Sequence, residues 1–229
     1  MIELLIATAV MLIVSAIIFQ TINLVTERSV TEQTKVDMFQ EAREFMDQMS
    51  RDLRSAGYPN PRNVSTSVLT ASPVANDLHA AAGLVNVDVG DLWFEGDVTG
   101  DGTVSVIHYH LDTSTSGNCP CLKRSQLPKV NGDPYSGQTT PSYQVEVQGV
   151  QNTSIFAARS NGTSLGLPVT FSSGSGSTIA TIDTIQAVLT LQSSVMDPKT
   201  HQKPVTTLVS TVKINNCSQA ITGAPMSCQ

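Results

Sequence analysis

The sequence predicts an α+β fold in which a long N-terminal helix packs against a mainly antiparallel β-sheet. The first observation is an uninterrupted apolar segment at the start of the chain, followed by a segment with helical periodicity. The second is the composition from about residue 56 onward, which is rich in Ser, Thr, Gly, Val and Asn, as in strands and turns. We therefore expect a helix over residues 1–56 and a β-rich head over residues 57–229.

Length and charge restrict the possible classes of protein. The chain has 229 residues, a net charge of −6 and a pI near 5.1. The head alone, roughly 170 residues, is long enough to bury a hydrophobic core. No basic stripe is present, so we expect no direct nucleic-acid partner.

Residues 1–19 read MIELLIATAVMLIVSAIIF and carry one charged residue, Glu3. A helix of this length and composition can cross the hydrocarbon core of a bilayer. The segment is a poor signal peptide, because no basic region precedes it and its apolar run is too long. A buried core helix is the alternative, but nothing downstream resembles the partner helices that it would need.

The helix is predicted to continue beyond Phe19 as an amphipathic segment. From Met38 onward, apolar residues recur mostly at steps of three and four, and charged residues occupy the other faces. Gly57 is a C-cap signal, and the prolines at 59 and 61 prevent continuation. A helix of roughly 55 residues would be about 80 Å long.

Glu3 is the most informative residue of the apolar segment. A carboxylate is costly in hydrocarbon, so such a residue usually has a partner or a function. The first turn of a helix offers free N–H groups and partial positive charge, which favour an anion there. An α-amino group, on this chain or a neighbouring one, would be a natural partner.

The segment IELLIATAVMLIVSAIIF resembles the N-terminal segment of type IV pilins and type II secretion pseudopilins, including the glutamate at position 3. RDLRSAGY, residues 51–58, is similar to the helix end of PilW-like minor pilins and GspJ-like pseudopilins. The resemblance implies that Glu3 neutralises the N-terminal amine of a neighbouring subunit during filament assembly. The expected function is therefore that of a minor pilin or pseudopilin, in filament initiation or at the tip, without enzymatic activity.

The resemblance also implies partners and a location. We expect other pilins or pseudopilins to bind through their N-terminal helices, and a prepilin peptidase to act on a precursor. The chain would wait in the inner membrane with an extracytoplasmic head, and then enter a periplasmic or cell-surface filament. Family precursors carry a short basic leader, and mature chains usually start about two residues further upstream of the glutamate. We therefore expect the natural start to differ from Met1.

Strands are predicted where the head shows alternating or Val-, Ile- and Thr-rich segments. These segments are 85–89, 92–95, 104–111, 121–125, 143–150, 155–158, 179–192 and 205–214. The last two are expected to form a β-hairpin around Asp197-Pro198-Lys199, and SSGSGST, residues 172–178, is expected to be a flexible loop.

The segment Gly96–Ser105 contains the most specific local motif of the head. Asp97, Thr99 and Asp101, followed by glycine, have the spacing of a calcium-binding EF-hand loop. However, His108 stands where the closing bidentate acid should be, and strands rather than helices flank the motif. We favour a tight β-turn and keep a calcium site as the alternative.

His108 and His110 alternate on one predicted strand, so their side chains share a face. Such a pair can bind a metal, and Cys119 and Cys121 are near in sequence. The spacing fits no standard zinc module, so we favour a solvent-facing histidine pair.

Four cysteines suit an oxidising compartment, namely Cys119, Cys121, Cys217 and Cys228. We favour a disulfide between Cys217 and Cys228. Because only Pro120 separates the first two, a bridge between them is expected to be strained, and each is expected to be linked elsewhere or free. Free thiols or a metal site are the alternatives to disulfides.

Two further classes of function remain. One is a membrane-anchored extracytoplasmic binding module, with calcium as a candidate ligand. The other is a membrane-anchored enzyme, which we do not expect, because the sequence has no nucleophile elbow, P-loop, dinucleotide fingerprint or HExxH motif.

Overall fold

The computed structural model describes residues 2–114, 119–171, 178–197 and 200–214. Within these ranges the chain forms a long helix, α1 (Ile2–Arg54), followed by a head of short 3-10 helices and strands. The strands are β1 (Leu84–Val87), β2 (Asp91–Gly96), β3 (Ser105–Asp112), β4 (Cys121–Pro128), β5 (Gln144–Gln148), β6 (Phe156–Ser160), β7 (Thr163–Ser164), β8 (Val169–Thr170), β9 (Thr184–Gln192) and β10 (Val205–Lys213). The 3-10 helices are Pro61–Asn63, Val74–Asn76 and Thr178–Thr181.

The strands form two sheets. The first has six strands in the order β5-β4-β3-β2-β1-β8, and the second has four in the order β10-β9-β6-β7. Every pairing of these strands is antiparallel. An antiparallel bridge pairs Val150, just after β5 of the first sheet, with Leu191 on β9 of the second. The predicted α+β class, with a long N-terminal helix on antiparallel sheet, is confirmed.

The second half of α1 packs on the head, and the first half does not. The side chains that α1 buries follow the helical spacing of three and four, as predicted. They are Thr31, Ala42, Phe45, Met46, Met49, Asp52 and Leu53. The apolar members join one hydrophobic core with side chains from both sheets, including Phe94, Tyr109, Phe156 and Leu189.

The end of α1 is held by the sheet. The helix ends at Arg54, two residues before the predicted end, and Gly57 takes the left-handed conformation (φ 83°) expected of a C-cap glycine. The Gly57 N–H donates to the Glu95 carbonyl at 2.8 Å, and Ala56 bridges to Gly96. The residues that follow α1 are therefore hydrogen-bonded directly to the end of β2.

The head differs from expectation in three places. One sheet was expected, but two form. Residues Thr178–Thr181 are a 3-10 helix, not the start of a strand, and β7 and β8 are new, because two-residue strands have no detectable periodicity. The predicted hairpin of the last two strands is confirmed, with Val205 opposite Gln192. Residues 172–177 of the predicted flexible loop and residues 198–199 of the hairpin loop lie outside the described part of the chain.

Candidate functional site

The first candidate site is the uncovered half of α1. Every residue from 2 to 30 is exposed in the isolated chain, and Ile2 and Met11 expose 73% and 75% of their surface. The helix is long and apolar enough to cross a membrane, and no part of its most apolar stretch is buried by the head. Glu3 lies in its first turn, as predicted, and the next charged residue is Glu27.

A buried carboxylate connects α1 to the six-stranded sheet. Asp52 Oδ2 accepts hydrogen bonds from the Tyr109 hydroxyl at 2.7 Å and from Arg124 Nη2 at 2.8 Å. Burial, with the Asp52 charge adding to it, raises the pKa of Tyr109 well above its usual value, so the hydroxyl stays protonated. The ring of Phe45 on α1 meets Tyr109 edge-on, with centroids 5.6 Å apart. These contacts set the position of the helix on the head.

A second buried pair fixes the connection between α1 and β1. Lys129 and Glu95 have fully buried side chains, and Lys129 Nζ lies 2.6 Å from Glu95 Oε2. The same ammonium donates to the carbonyls of Ala75 and Ala80, and Glu95 accepts the Ala82 N–H at 2.8 Å. Burial raises the pKa of Glu95 and lowers that of Lys129. This arrangement is structural, because it places the 75–82 segment over one end of the sheet.

Residues 97–104 connect β2 to β3, and this connection is longer than the tight β-turn favoured from the sequence. The Asp97 carboxylate accepts hydrogen bonds from the loop itself: the Thr99 hydroxyl (3.2 Å), the Gly100 N–H (2.7 Å) and the Gly102 N–H (2.8 Å). Asp101 accepts the Thr103 N–H at 2.8 Å, and such backbone donors lower the pKa of its exposed carboxyl. A calcium ion would compete with these donors, and the calcium site at Asp97, Thr99 and Asp101 stays a prediction.

The two histidines of β3 do not form the solvent-facing pair expected from the sequence. His108 is buried, exposing 8% of its surface, and its Nε2 contacts Asp91 Oδ1 on β2. On its other side, His108 Nδ1 lies 2.7 Å from the Tyr143 hydroxyl. The Trp93 ring stacks on the imidazole at 5.0 Å. The expectation failed because aromatic side chains from the neighbouring strand and the segment before β5 cover this face of β3.

His110 completes a cluster with Asp91 and His108. In the β2–β3 register Asp91 is opposite His110, and His108 is two residues away on the same face. Burial alone would raise the pKa of Asp91, but the two imidazoles lower it below its usual value. The Asp91 carboxylate in turn raises the pKa of His110, against partial burial. Burial and the Asp91 charge raise the pKa of Tyr143 to about 12, so its hydroxyl is neutral at pH 7.

Cys119 and Cys121 form a disulfide, with Cα atoms 4.4 Å apart. The expectation that each would be linked elsewhere or free was wrong, because the bend at Pro120 brings the two Cα atoms within the usual range for a bridge. Their sulfur atoms are therefore not thiolate ligands for a metal. Cys217 and Cys228 lie outside the described residues, and their pairing stays a prediction.

Sequence reasoning missed Asp91 and Tyr143 as neighbours of the histidines. Asp91 could have been found by pairing the two predicted strands around the Gly-Asp-Gly turn, since that register places it opposite His110. Tyr143 directly precedes β5, which is two strands away from β3 in the sheet, and no local signal connects it to His108.

Comparison with known proteins gives a distant structural likeness. No protein-family model matches the chain, and no curated protein matches it. Among solved structures, the chain is similar to a type IV-like pilin from Thermus thermophilus, with 12% sequence identity and a TM-score of 0.45. The match covers 78% of this chain and 97% of the other.

Proposed function

We propose that this chain is a subunit of a type IV pilin-like filament, held in the inner membrane by α1 before assembly. The observation that carries the proposal is the uncovered apolar half of α1, residues 2–30. Exposed apolar surface costs roughly 25 cal/mol per Å² in water. Lipid can cover such a helix before assembly, and the helices of other subunits can cover it in a filament.

Glu3 is the residue that we assign to assembly. It is the one charged residue between positions 2 and 26, so a helix bundle that excludes water would leave its carboxylate without solvent. An α-amino group of a neighbouring subunit would neutralise this charge. Pairing of this kind also selects the axial position of one helix beside the next, because a register shift would leave the carboxylate unpaired.

The finer assignments belong to the same proposal. We assign a minor position, in filament initiation or at the tip, on the large head and the resemblance of residues 51–58 to PilW-like and GspJ-like proteins. Other pilins or pseudopilins are the partners, and a prepilin peptidase processes the precursor. In this proposal, the N-terminal segment that contains the helix, residues 1–56, anchors the subunit, and the head, residues 57–229, extends from it.

The second candidate is an anchored binding module that never enters a filament. Its head would face the extracytoplasmic side and bind a ligand, for which the Asp97 loop would offer calcium a site. The exposed position of the loop tip favours this candidate, because Thr99–Gly102 lie at the surface of the head. The two candidates share the membrane anchor and differ in the role of Glu3.

The test compares filament and membrane fractions of cells that produce the full chain. Sheared surface filaments and inner membranes are analysed by mass spectrometry, and the mature N-terminus is identified in the same run. Glu3→Ala is the assembly variant. Glu27→Ala is the matched control, because Glu27 is also exposed on α1 but follows the apolar segment.

The filament proposal predicts that the wild-type chain and the Glu27→Ala chain are both found in the filament fraction. The Glu3→Ala chain should stay in membranes at similar total abundance. Recovery of the wild-type chain solely from membranes, with an unprocessed start, would refute the filament proposal and favour the anchored binding module.

A further inference from the structure

We propose that Asp91, His108 and His110 form a binding site for a divalent first-row transition metal ion, with Zn²⁺ as the ion we expect first. The cluster lies on the face of the six-stranded sheet opposite the face that packs on α1. One ligand atom from each residue can be chosen so that all three lie within 4.8 Å of one another. The proposal does not depend on the filament role.

The donor set fits this class of ion. Two imidazole nitrogens and one carboxylate oxygen are common ligands of Zn²⁺, and they leave further positions for water or an external ligand. Ligands at zinc-bonding distances of 2.0–2.2 Å lie roughly 3–3.5 Å from one another. His108 Nε2 already contacts Asp91 Oδ1, and His110 Nδ1 is 3.6 Å from Asp91 Oδ2. Binding an ion would move the first pair of atoms slightly apart and bring the more exposed His110 ring closer to Asp91.

His108 is held in the orientation that a metal ligand needs. A ligating histidine usually donates its second ring N–H to a nearby acceptor, which fixes the tautomer and the ring plane. The Tyr143 hydroxyl lies 2.7 Å from His108 Nδ1 and can accept that N–H, which leaves Nε2 free for the ion. The stacked ring of Trp93 limits rotation of the imidazole.

His110 supplies the second, independent observation. Its Nδ1 atom is buried and, among the described residues, makes no hydrogen bond, since its ion-pair partner Asp91 Oδ2 lies 3.6 Å away. A buried polar nitrogen that makes no hydrogen bond is costly, and native proteins rarely leave one unexplained. Coordination to a metal ion would satisfy this nitrogen. His110 and Asp91 expose 40% and 30% of their side chains, so an ion and its water ligands can enter from solvent.

The charged side chains around the cluster do not oppose the binding of a cation. Lys123 on β4 is opposite His110, but its ammonium group lies 2.5 Å from Asp112 Oδ2 and is neutralised there. Calcium is not expected at this site, because it prefers oxygen ligands over imidazole nitrogen. The nearby Cys119–Cys121 pair is oxidised and contributes no thiolate.

The experiment uses the full chain in detergent micelles after treatment with a chelator. Zn²⁺ binding is measured by isothermal titration calorimetry, and Co²⁺ serves as a spectroscopic probe of coordination. We expect one saturable site per chain for each ion. The visible spectrum of the Co²⁺ form should lack the intense thiolate charge-transfer band that cysteine ligands produce.

Four variants test where the ion binds. His110→Ala and Asp91→Asn should each abolish saturable binding, while circular dichroism shows an unchanged fold. Tyr143→Phe should weaken binding about 10-fold, as loss of an outer-shell partner does. His79→Ala is the matched control, because His79 pairs with Asp77 at 2.9 Å outside the cluster, and it should bind like wild type.

A double variant, Cys217→Ser with Cys228→Ser, should also retain wild-type binding. Three results would overturn the proposal. The first is the absence of saturable Zn²⁺ or Co²⁺ binding by the wild-type chain. The second is binding that survives both His110→Ala and Asp91→Asn, and the third is loss of binding in the cysteine variant.

Discussion

Arg124 on β4 donates two hydrogen bonds to a single oxygen of Asp52 near the end of α1. Nε lies 3.0 Å and Nη2 lies 2.8 Å from Asp52 Oδ2. The Tyr109 hydroxyl donates to the same oxygen at 2.7 Å. One carboxylate therefore connects the last turns of the helix to the neighbouring strands β3 and β4 of the six-stranded sheet.

We expect Asp52→Ala to destabilise the head by about 3 kcal/mol, because it leaves a largely buried guanidinium and a buried hydroxyl without their acceptor. Unfolding of the full chain in detergent micelles can be followed with urea. The fluorescence of Trp93, the single tryptophan, reports on the head, not on the micelle-bound helix.

Arg51→Ala is the control for this prediction, because Arg51 is exposed in the same turns of α1. Its effect on the free energy of unfolding should stay below about 0.5 kcal/mol. Equal effects of the two substitutions would show that the Asp52 ion pair does not hold the helix on the sheet.

Acidic pH should lower the folding stability of the head, because it protonates Asp77. Burial alone would raise the pKa of this carboxyl, but N–H donors from His79, Thr70 and Ala71 lower it well below its usual value. A carboxyl whose pKa is lower in the folded state than in the unfolded state stabilises the fold. This stabilisation is complete at pH values above the unfolded-state pKa, which is near 4. That contribution is lost as the pH falls from about 5 toward the folded-state pKa.

We therefore expect the melting-temperature difference between wild type and Asp77→Asn to be largest at neutral pH and to shrink steadily below about pH 4. Asp47→Asn, on the exposed side of α1, is the control and should melt like wild type across the range. A difference that stays constant from pH 7 to pH 2.5 would mean that Asp77 acts through packing and not through its charge.

The helix was predictable because its signals are local and redundant. Nineteen residues with one charge, the spacing of Phe45, Met46 and Met49, and the glycine at 57 all lie within one continuous segment. The structure moves the predicted end by two residues, because Ala56 and Gly57 bond to the end of β2 instead of continuing the helix.

The polar clusters were less predictable because they depend on strand order. The alternation of His108 and His110 placed them on one face, but their burial depends on Trp93 and Tyr143 from other segments. Likewise, the pairing of Glu95 with Lys129 joins residues 34 positions apart. The periodicity of one segment cannot predict contacts between residues of separate segments.

The Glu95–Lys129 pair yields a double-mutant prediction. Lys129→Met should destabilise the head by about 3–5 kcal/mol, because it leaves a fully buried carboxylate unpaired. Adding Glu95→Gln should recover part of that loss, because a neutral amide costs less to bury than an unpaired charge. Urea unfolding of both single variants and the double variant gives the coupling free energy.

Additive effects of the two substitutions would contradict this account, since they would mean that neither side chain depends on the other. We expect instead that the double variant is more stable than Lys129→Met alone. The segment around Ala75 and Ala80 should also exchange its amide hydrogens faster in Lys129→Met, because that segment loses the ammonium donor to both carbonyls.

Gly96 should tolerate no side chain, because the chain after α1 crosses directly over it. A Cβ atom built at Gly96 would lie 2.3 Å from the Ser55 carbonyl oxygen, which belongs to backbone and cannot rotate away. Gly96→Ala must therefore displace the end of the helix from β2, and we expect a loss of about 1–3 kcal/mol in unfolding free energy.

Gly166→Ala is the matched control, since nothing lies within 4 Å of its added Cβ and its φ is not left-handed. Urea unfolding should separate the two variants clearly. Equal stability would show that the Ala56–Gly96 bridge is loose enough to open without cost, so that the sheet does not fix the helix end.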